Sequence, residues 1–145
     1  MITFLIERHL LMYLVLARIT FLSMVVFIAY AYFQPIPRFF HFSHSREFLH
    51  LIGFTGLSFL TCLSFPKVDI FKIILILFIA TILLEIAQPL LTSLRTASVP
   101  DLMANGAGVL YGLVLYSLYR YVLKYLQKTR ITTNLKTTKD KSSKE

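Results

Sequence analysis

Residues 70 to 91 read IFKIILILFIATILLEIAQPLL, a stretch of twenty-two residues whose only charges are Lys72 and Glu85. It is apolar on every side, with no polar stripe to turn toward water. Its length is what a helix rising ~1.5 Å per residue needs to cross a hydrocarbon core of ~30 Å. These residues therefore predict a transmembrane helix, and the rest of the chain repeats the pattern. Uncharged runs also occupy residues 19–37, 48–66 and 102–119. Of the 145 residues 57% are apolar and 15% charged, and mean hydropathy is +0.70. Soluble chains average about 25% charged residues, so a water-soluble globule is excluded as the class.

Four spans are expected, at about residues 10–33, 47–65, 70–91 and 100–121. Pro35 and Pro37 close the first and Pro66 closes the second. No short apolar core with a small-residue cleavage site follows Arg8, so the first stretch reads as a span and not as a signal peptide. Lipid offers no partner to free backbone groups, and there are no alternating ten-residue segments of a barrel. The expected fold class is all-α, a four-helix transmembrane bundle with a disordered basic C-terminal tail. The domain division is 1–126 for the bundle and 127–145 for the tail.

Four spans put both termini on one side. Of the 15 Lys and Arg residues, Arg38, Arg46 and Arg95 fall in the loops after spans one and three. The other 12 lie at the termini or around Lys67. The positive-inside rule then predicts cytoplasmic termini, with residues 34–46 and 92–99 facing outward. Arg18 lies within the first span near its cytoplasmic end, where its long side chain can snorkel. From Lys124 to Glu145 there are seven basic and two acidic residues and too little apolar content to fold. Anionic lipid is the expected partner of that tail, in preference to nucleic acid.

Metal and cofactors are not expected. Cys62 is the single cysteine and reads as packing. His41 and His44 stand at i,i+3 in the outward loop without a neighbouring cysteine or carboxylate, a composition that suits the headgroup interface.

Polar residues at the span edges carry the functional interest. Glu47 and His50 open span two, Glu85 and Gln88 close span three before Arg95, and Asp101 and Asn105 open span four. Three helices thus bring polar groups to one level, in the outer third of the bilayer, and each i,i+3 or i,i+4 pair shares a helix face. Glu85 is the sharpest of them, because a carboxylate below the interface has to be paired, hydrated or neutralised. Arg95, His50 or Arg46 is its expected counter-charge. Ser98-Val99-Pro100-Asp101 reads as an N-cap with an acid at N3, so capping alone accounts for Ser98 and Asp101 but not for Asn105 one turn deeper. Ala104, Gly108 and Gly112 repeat small residues every fourth position, as close helix approach requires.

Taken together these residues resemble the VanZ-like family of small bacterial membrane proteins, named for a teicoplanin-resistance accessory protein. The resemblance covers about residues 30–115. It rests on Glu85-Ile86-Ala87-Gln88, Arg95-Thr96-Ala97-Ser98, and Asp101 through Asn105 to Gly108 and Gly112, similar to the family's Glu-x-x-Gln, Arg-x-x-Ser and Asp-x-x-x-Asn-x-x-Gly. The family's Asp-Lys-x-x-His stands here as Arg46-Glu47-Phe48-Leu49-His50, with the two charges exchanged in sign. The resemblance implies a four-span bundle in a bacterial cytoplasmic (inner) membrane and, for the founding member, low-level glycopeptide resistance.

Three functions stay open on the sequence. In the leading one, His50, Glu85, Gln88, Arg95, Asp101 and Asn105 form an outer-leaflet pocket. The pocket binds a cell-envelope or lipid-linked molecule, as an accessory protein would. In the second, the same groups are the acid/base pair of an enzyme acting on an envelope lipid or glycan. The chain shows no serine-nucleophile motif, metal set or phosphate loop, which ranks this reading lower. In the third, the polar groups only fix helix register in a structural subunit or a partner of another membrane protein.

Overall fold

The computed structural model describes residues 2–33, 45–91 and 98–142, with side chains described for 8–31, 45–90 and 98–130. They form four helices, α1 (Ile2–Phe33), α2 (Ser45–Ser64), α3 (Ile70–Leu91) and α4 (Val99–Ser142). Each contains a stretch long and apolar enough to cross a membrane: Arg8–Ala31, Ser45–Ser64, Ile70–Leu90 and Val99–Arg130. By its internal contacts the chain divides into two units, Met1–Leu113 and Val114–Glu145.

Local chemistry sets the helix ends. α2 stops two residues before Pro66, and the turn beyond it is closed by the Val68 N–H donating to Phe65 O at 3.0 Å. Asp69 caps α3, its Oδ1 accepting the N–H groups of Phe71 at 2.9 Å and Lys72 at 3.4 Å. Pro89 sits in the last turns of α3, where it removes the donor that would meet the Glu85 carbonyl.

Within the first unit α1 packs antiparallel to α2. Ser64 Oγ donates to Ala17 O at 3.0 Å, while the Met24 side chain lies against Gly56 and Ile28 against Gly53. This register sets residue 17 beside the last residue of α2, so α1 continues past the end of α2 toward its own N-terminus. Leu10, Leu11, Met12, Val15 and Leu16 on that continuation are exposed.

α2 and the start of α4 run in the same direction and nearly touch backbone to backbone. A Cβ on Gly108 would stand 2.5 Å from Leu51 O and 2.9 Å from Phe54 Cβ, and one on Gly112 would strike Thr55 O. Ser58 Oγ, fully buried, donates to Val109 O at 2.9 Å across this seam. α3 closes on α4 where Phe78 fills the space beside Gly106, 3.2 Å from a Cβ built there. The core is made by Phe54, Leu57, Cys62, Ile73, Leu77, Val109 and Leu113. Large apolar side chains remain outside on every helix, among them Val26, Ile52, Ile76, Leu83 and Met103. Water would penalise that surface and hydrocarbon does not.

The second unit is the remainder of α4. Arg120 Nη1 donates to Tyr116 Oη at 3.1 Å and its guanidinium lies 5.9 Å from the centre of that ring. Composition predicts no packed element after about residue 126. The backbone there is helical to Ser142, and every described side chain from Tyr121 to Arg130 is exposed. Helix without burial is what local propensity yields in a Lys-, Leu- and Gln-containing stretch that has no Gly or Pro after Gly112.

Candidate functional site

The polar residues meet where α2 and α4 begin and α3 ends. Asp101 stands in the first turn of α4 and is 1% exposed. Its Oδ2 accepts from Arg46 Nη1 of α2 at 3.1 Å and lies 3.9 Å from His50 Nε2. His50 Nδ1 is 3.0 Å from Asn105 Oδ1. A carboxamide oxygen accepts, so with the amide placed this way Nδ1 is the nitrogen that carries the proton, and Nε2 faces the Asp101 carboxylate. Arg46 and His50 are i,i+4 on α2, as Asp101 and Asn105 are on α4. Two matched turns on neighbouring parallel helices therefore bring four polar groups into one row. The close contact at Gly108 and Gly112 holds those helices near enough for the row to form.

α3 joins the site through the cap of α4. Glu85 is 5% exposed, and its Oε1 accepts the Ser98 N–H at 2.6 Å. Ser98 in turn caps α4: its carbonyl accepts from Leu102 N at 3.0 Å and its hydroxyl from Asp101 N at 3.5 Å. Self-capping would have Asp101 reach back to the Ser98 amide. Glu85 takes that amide instead, and Asp101 is turned to Arg46 and His50. Arg46 meets Asp101 and not Glu85. It keeps 37% of its side-chain surface, so it forms the accessible edge of the cluster.

Gln88 lies one turn beyond Glu85 on α3 and is 0% exposed. Neither its amide nitrogen nor its amide oxygen has a hydrogen-bond partner among the described residues, and the same holds for Asp101 Oδ1. Buried polar atoms are normally satisfied, because an orphan costs about 1–3 kcal/mol.

The structure thus brings His50, Asp101 and Asn105 together, ties Glu85 to the α4 cap, and buries Gln88 beside Glu85 on the same helix face. Ala104 is half-buried, while Gly108 and Gly112 face α2. Arg95, His41 and His44 lie outside the described residues. Among the described residues no group of three His, Cys, Asp or Glu side chains could hold a metal ion. Arg46 is the member missing from the sequence-derived set. The sequence offers it as a counter-charge for Glu85 and not as a site residue, because the charges at 46 and 47 are exchanged relative to the family motif; its i,i+4 spacing to His50 is the signal that sets it in the row. Arg18, expected to snorkel, donates from Nε to Ser64 O at 3.4 Å and lies over the Phe65 ring.

Four membrane-capable helices, three of which contribute acid, base and amide side chains to a buried cluster, define a small multi-span membrane protein. The chain belongs to the VanZ-like family, whose VanZ/LLP1 description matches residues 9–120. No curated protein and no solved structure matches it.

Proposed function

We propose that this protein is a binding or accessory membrane protein whose polar cluster receives the head of a lipid-linked or other cell-envelope molecule while the apolar part of that molecule stays in lipid. The orphaned polar atoms carry this reading. A fully buried carboxamide and a carboxylate oxygen without partners among the described residues are expensive in a low-dielectric interior, and a ligand offering both donors and acceptors would repay them. The half-accessible Arg46 at the edge would be the first group such a head meets. The basic-residue asymmetry supports an orientation with the cluster toward the outer face of the membrane, the side from which an envelope molecule would approach. The family resemblance makes glycopeptide-related envelope chemistry the class to try first, alongside other anchored glycans and lipids.

A second reading, an acid/base enzyme on the same class of substrate, is favoured by His50 Nε2 facing Asp101 at 3.9 Å. That pair could accept and return a proton. The test is identification by mass spectrometry of molecules co-extracted with the protein from its native membrane, wild type against Glu85→Gln. Binding predicts one envelope species enriched with wild type and depleted in the variant. Recovery of a chemically altered species that depends on His50 would favour the enzyme. Identical extracts would count against both.

A further inference from the structure

At the opposite end of α2 from the cluster a second site depends on none of those residues. α2 has 20 residues, ~30 Å at the helical rise, which is the thickness of the hydrocarbon core. Its last residue, Ser64, and the turn carrying Lys67 and Asp69 therefore mark the membrane boundary. Arg18 of α1 is held at that level. Its Nε donates to Ser64 O at 3.4 Å, and its guanidinium carbon lies 5.8 Å from the centre of the Phe65 ring. Phe65 is itself fixed edge-to-face on Phe21, with ring centroids 5.4 Å apart and planes at 88°. The two terminal nitrogens of Arg18 meet no partner among the described residues, although the side chain is oriented from two sides. Lys67, two residues after Phe65, and Lys72, in the first turn of α3, are exposed. The carboxylate of the turn, Asp69, spends Oδ1 on capping α3.

α1 does not stop at this boundary. The two turns before Ala17 carry Leu10, Leu11, Met12, Val15 and Leu16, each between 46% and 63% exposed. A helix that stays apolar beyond the level where its neighbour ends must keep lipid around it, while the turn with Lys67, Asp69 and Lys72 must stay wet. Both conditions hold if lipid headgroups dip beside α1 to the depth of Arg18.

We propose that Arg18, Lys67 and Lys72 form a site for the phosphate of an anionic phospholipid, drawn into the notch between α1 and the α2–α3 turn. An arginine with a fixed Nε and with Nη groups that meet no partner among the described residues suits a phosphate, which it meets with parallel N–H donors. The lipid is the source of the phosphate here, because the chain around the site is apolar on the α1 side. The neighbouring lysines add to the attraction for an anionic headgroup.

The full-length protein in nanodiscs of equal parts phosphatidylglycerol and phosphatidylcholine gives the test, read as the ratio of the two lipids retained in native mass spectrometry. The basic C-terminal segment contributes equally to every variant. Wild type should favour phosphatidylglycerol, and Arg18→Gln should lower that preference about fivefold, the change that ~1 kcal/mol produces. Lys67→Gln with Lys72→Gln, at exposed positions, should lower it as well and decides the matter if Arg18→Gln does not fold. An unchanged ratio in the variants that fold overturns the site. So does displacement of the bound phosphatidylglycerol by inorganic phosphate, which would make it a site for the free ion.

Discussion

Glu85 of α3 and Ser98 at the start of α4 are joined by a 2.6 Å hydrogen bond in which the carboxylate accepts the backbone N–H. The first turn of one helix is thus finished by a side chain of another, and this leaves Asp101 to pair with Arg46 at 3.1 Å. Both interactions use charged acceptors in a buried setting, where removing one partner costs more than the pair contributes.

Glu85→Ala should therefore destabilise the protein by about 1–3 kcal/mol, because it strands the Ser98 amide. Glu85→Gln keeps an acceptor oxygen and should lose much less. Thermal unfolding in detergent separates the two; equal losses would show that charge, not the cap, is what matters at this position.

Arg46→Gln should destabilise by a comparable amount through the buried Asp101 carboxylate. Adding Asp101→Asn should recover part of that loss, giving a coupling energy of about 0.5–3 kcal/mol in a double-mutant cycle. Strict additivity would mean that the ion pair does not hold α2 to α4.

The seam itself predicts a graded series. Gly108→Ala and Gly112→Ala press a Cβ into the backbone of α2 and should each cost about 1–3 kcal/mol. At Gly53 the nearest atoms to a Cβ are 3.9 Å away, on the Ile28 side chain, so Gly53→Ala should be close to neutral. A destabilisation at Gly53 as large as at Gly108 would contradict the packing described.

Orientation follows from the division of basic residues. In a Cys62→Ser background, Ser43→Cys should react with an impermeant thiol reagent from outside intact cells, and Ser143→Cys should not. The reverse pattern would move the polar cluster to the cytoplasmic side and the Arg18 site to the outer one.

The spans were legible because hydropathy reports where lipid is. For α3 the expected and observed limits, residues 70 and 91, coincide. Hydropathy does not report where a helix ends. α1 begins at Ile2, ahead of the expected residue 10, because the intervening Glu7, Arg8 and His9 are tolerated by a helix. α4 runs to Ser142 because nothing after Gly112 breaks it. Within the site, i,i+3 and i,i+4 spacing gave the helix faces of His50, Glu85, Gln88, Asp101 and Asn105. It could not give partners on other helices. That Glu85 caps α4 and Arg46 engages Asp101 depends on the offset between helices, which one strand of sequence does not encode in any local pattern. That Gln88 is buried without a partner among the described residues is likewise a property of the packing and of no single helix.

Gln88 supplies the most direct test of the central claim, that the cluster exists to bind and not to brace. Gln88→Met keeps the bulk of the side chain and removes a buried amide that has no partner among the described residues. The measurement is co-extracted envelope molecules, quantified by mass spectrometry on the same preparations used for thermal unfolding, for wild type and Gln88→Met. The account predicts unchanged or higher thermal stability together with loss of the bound species. Lower stability with retention of that species would contradict it, showing the amide to be a structural contact and the cluster a brace between helices.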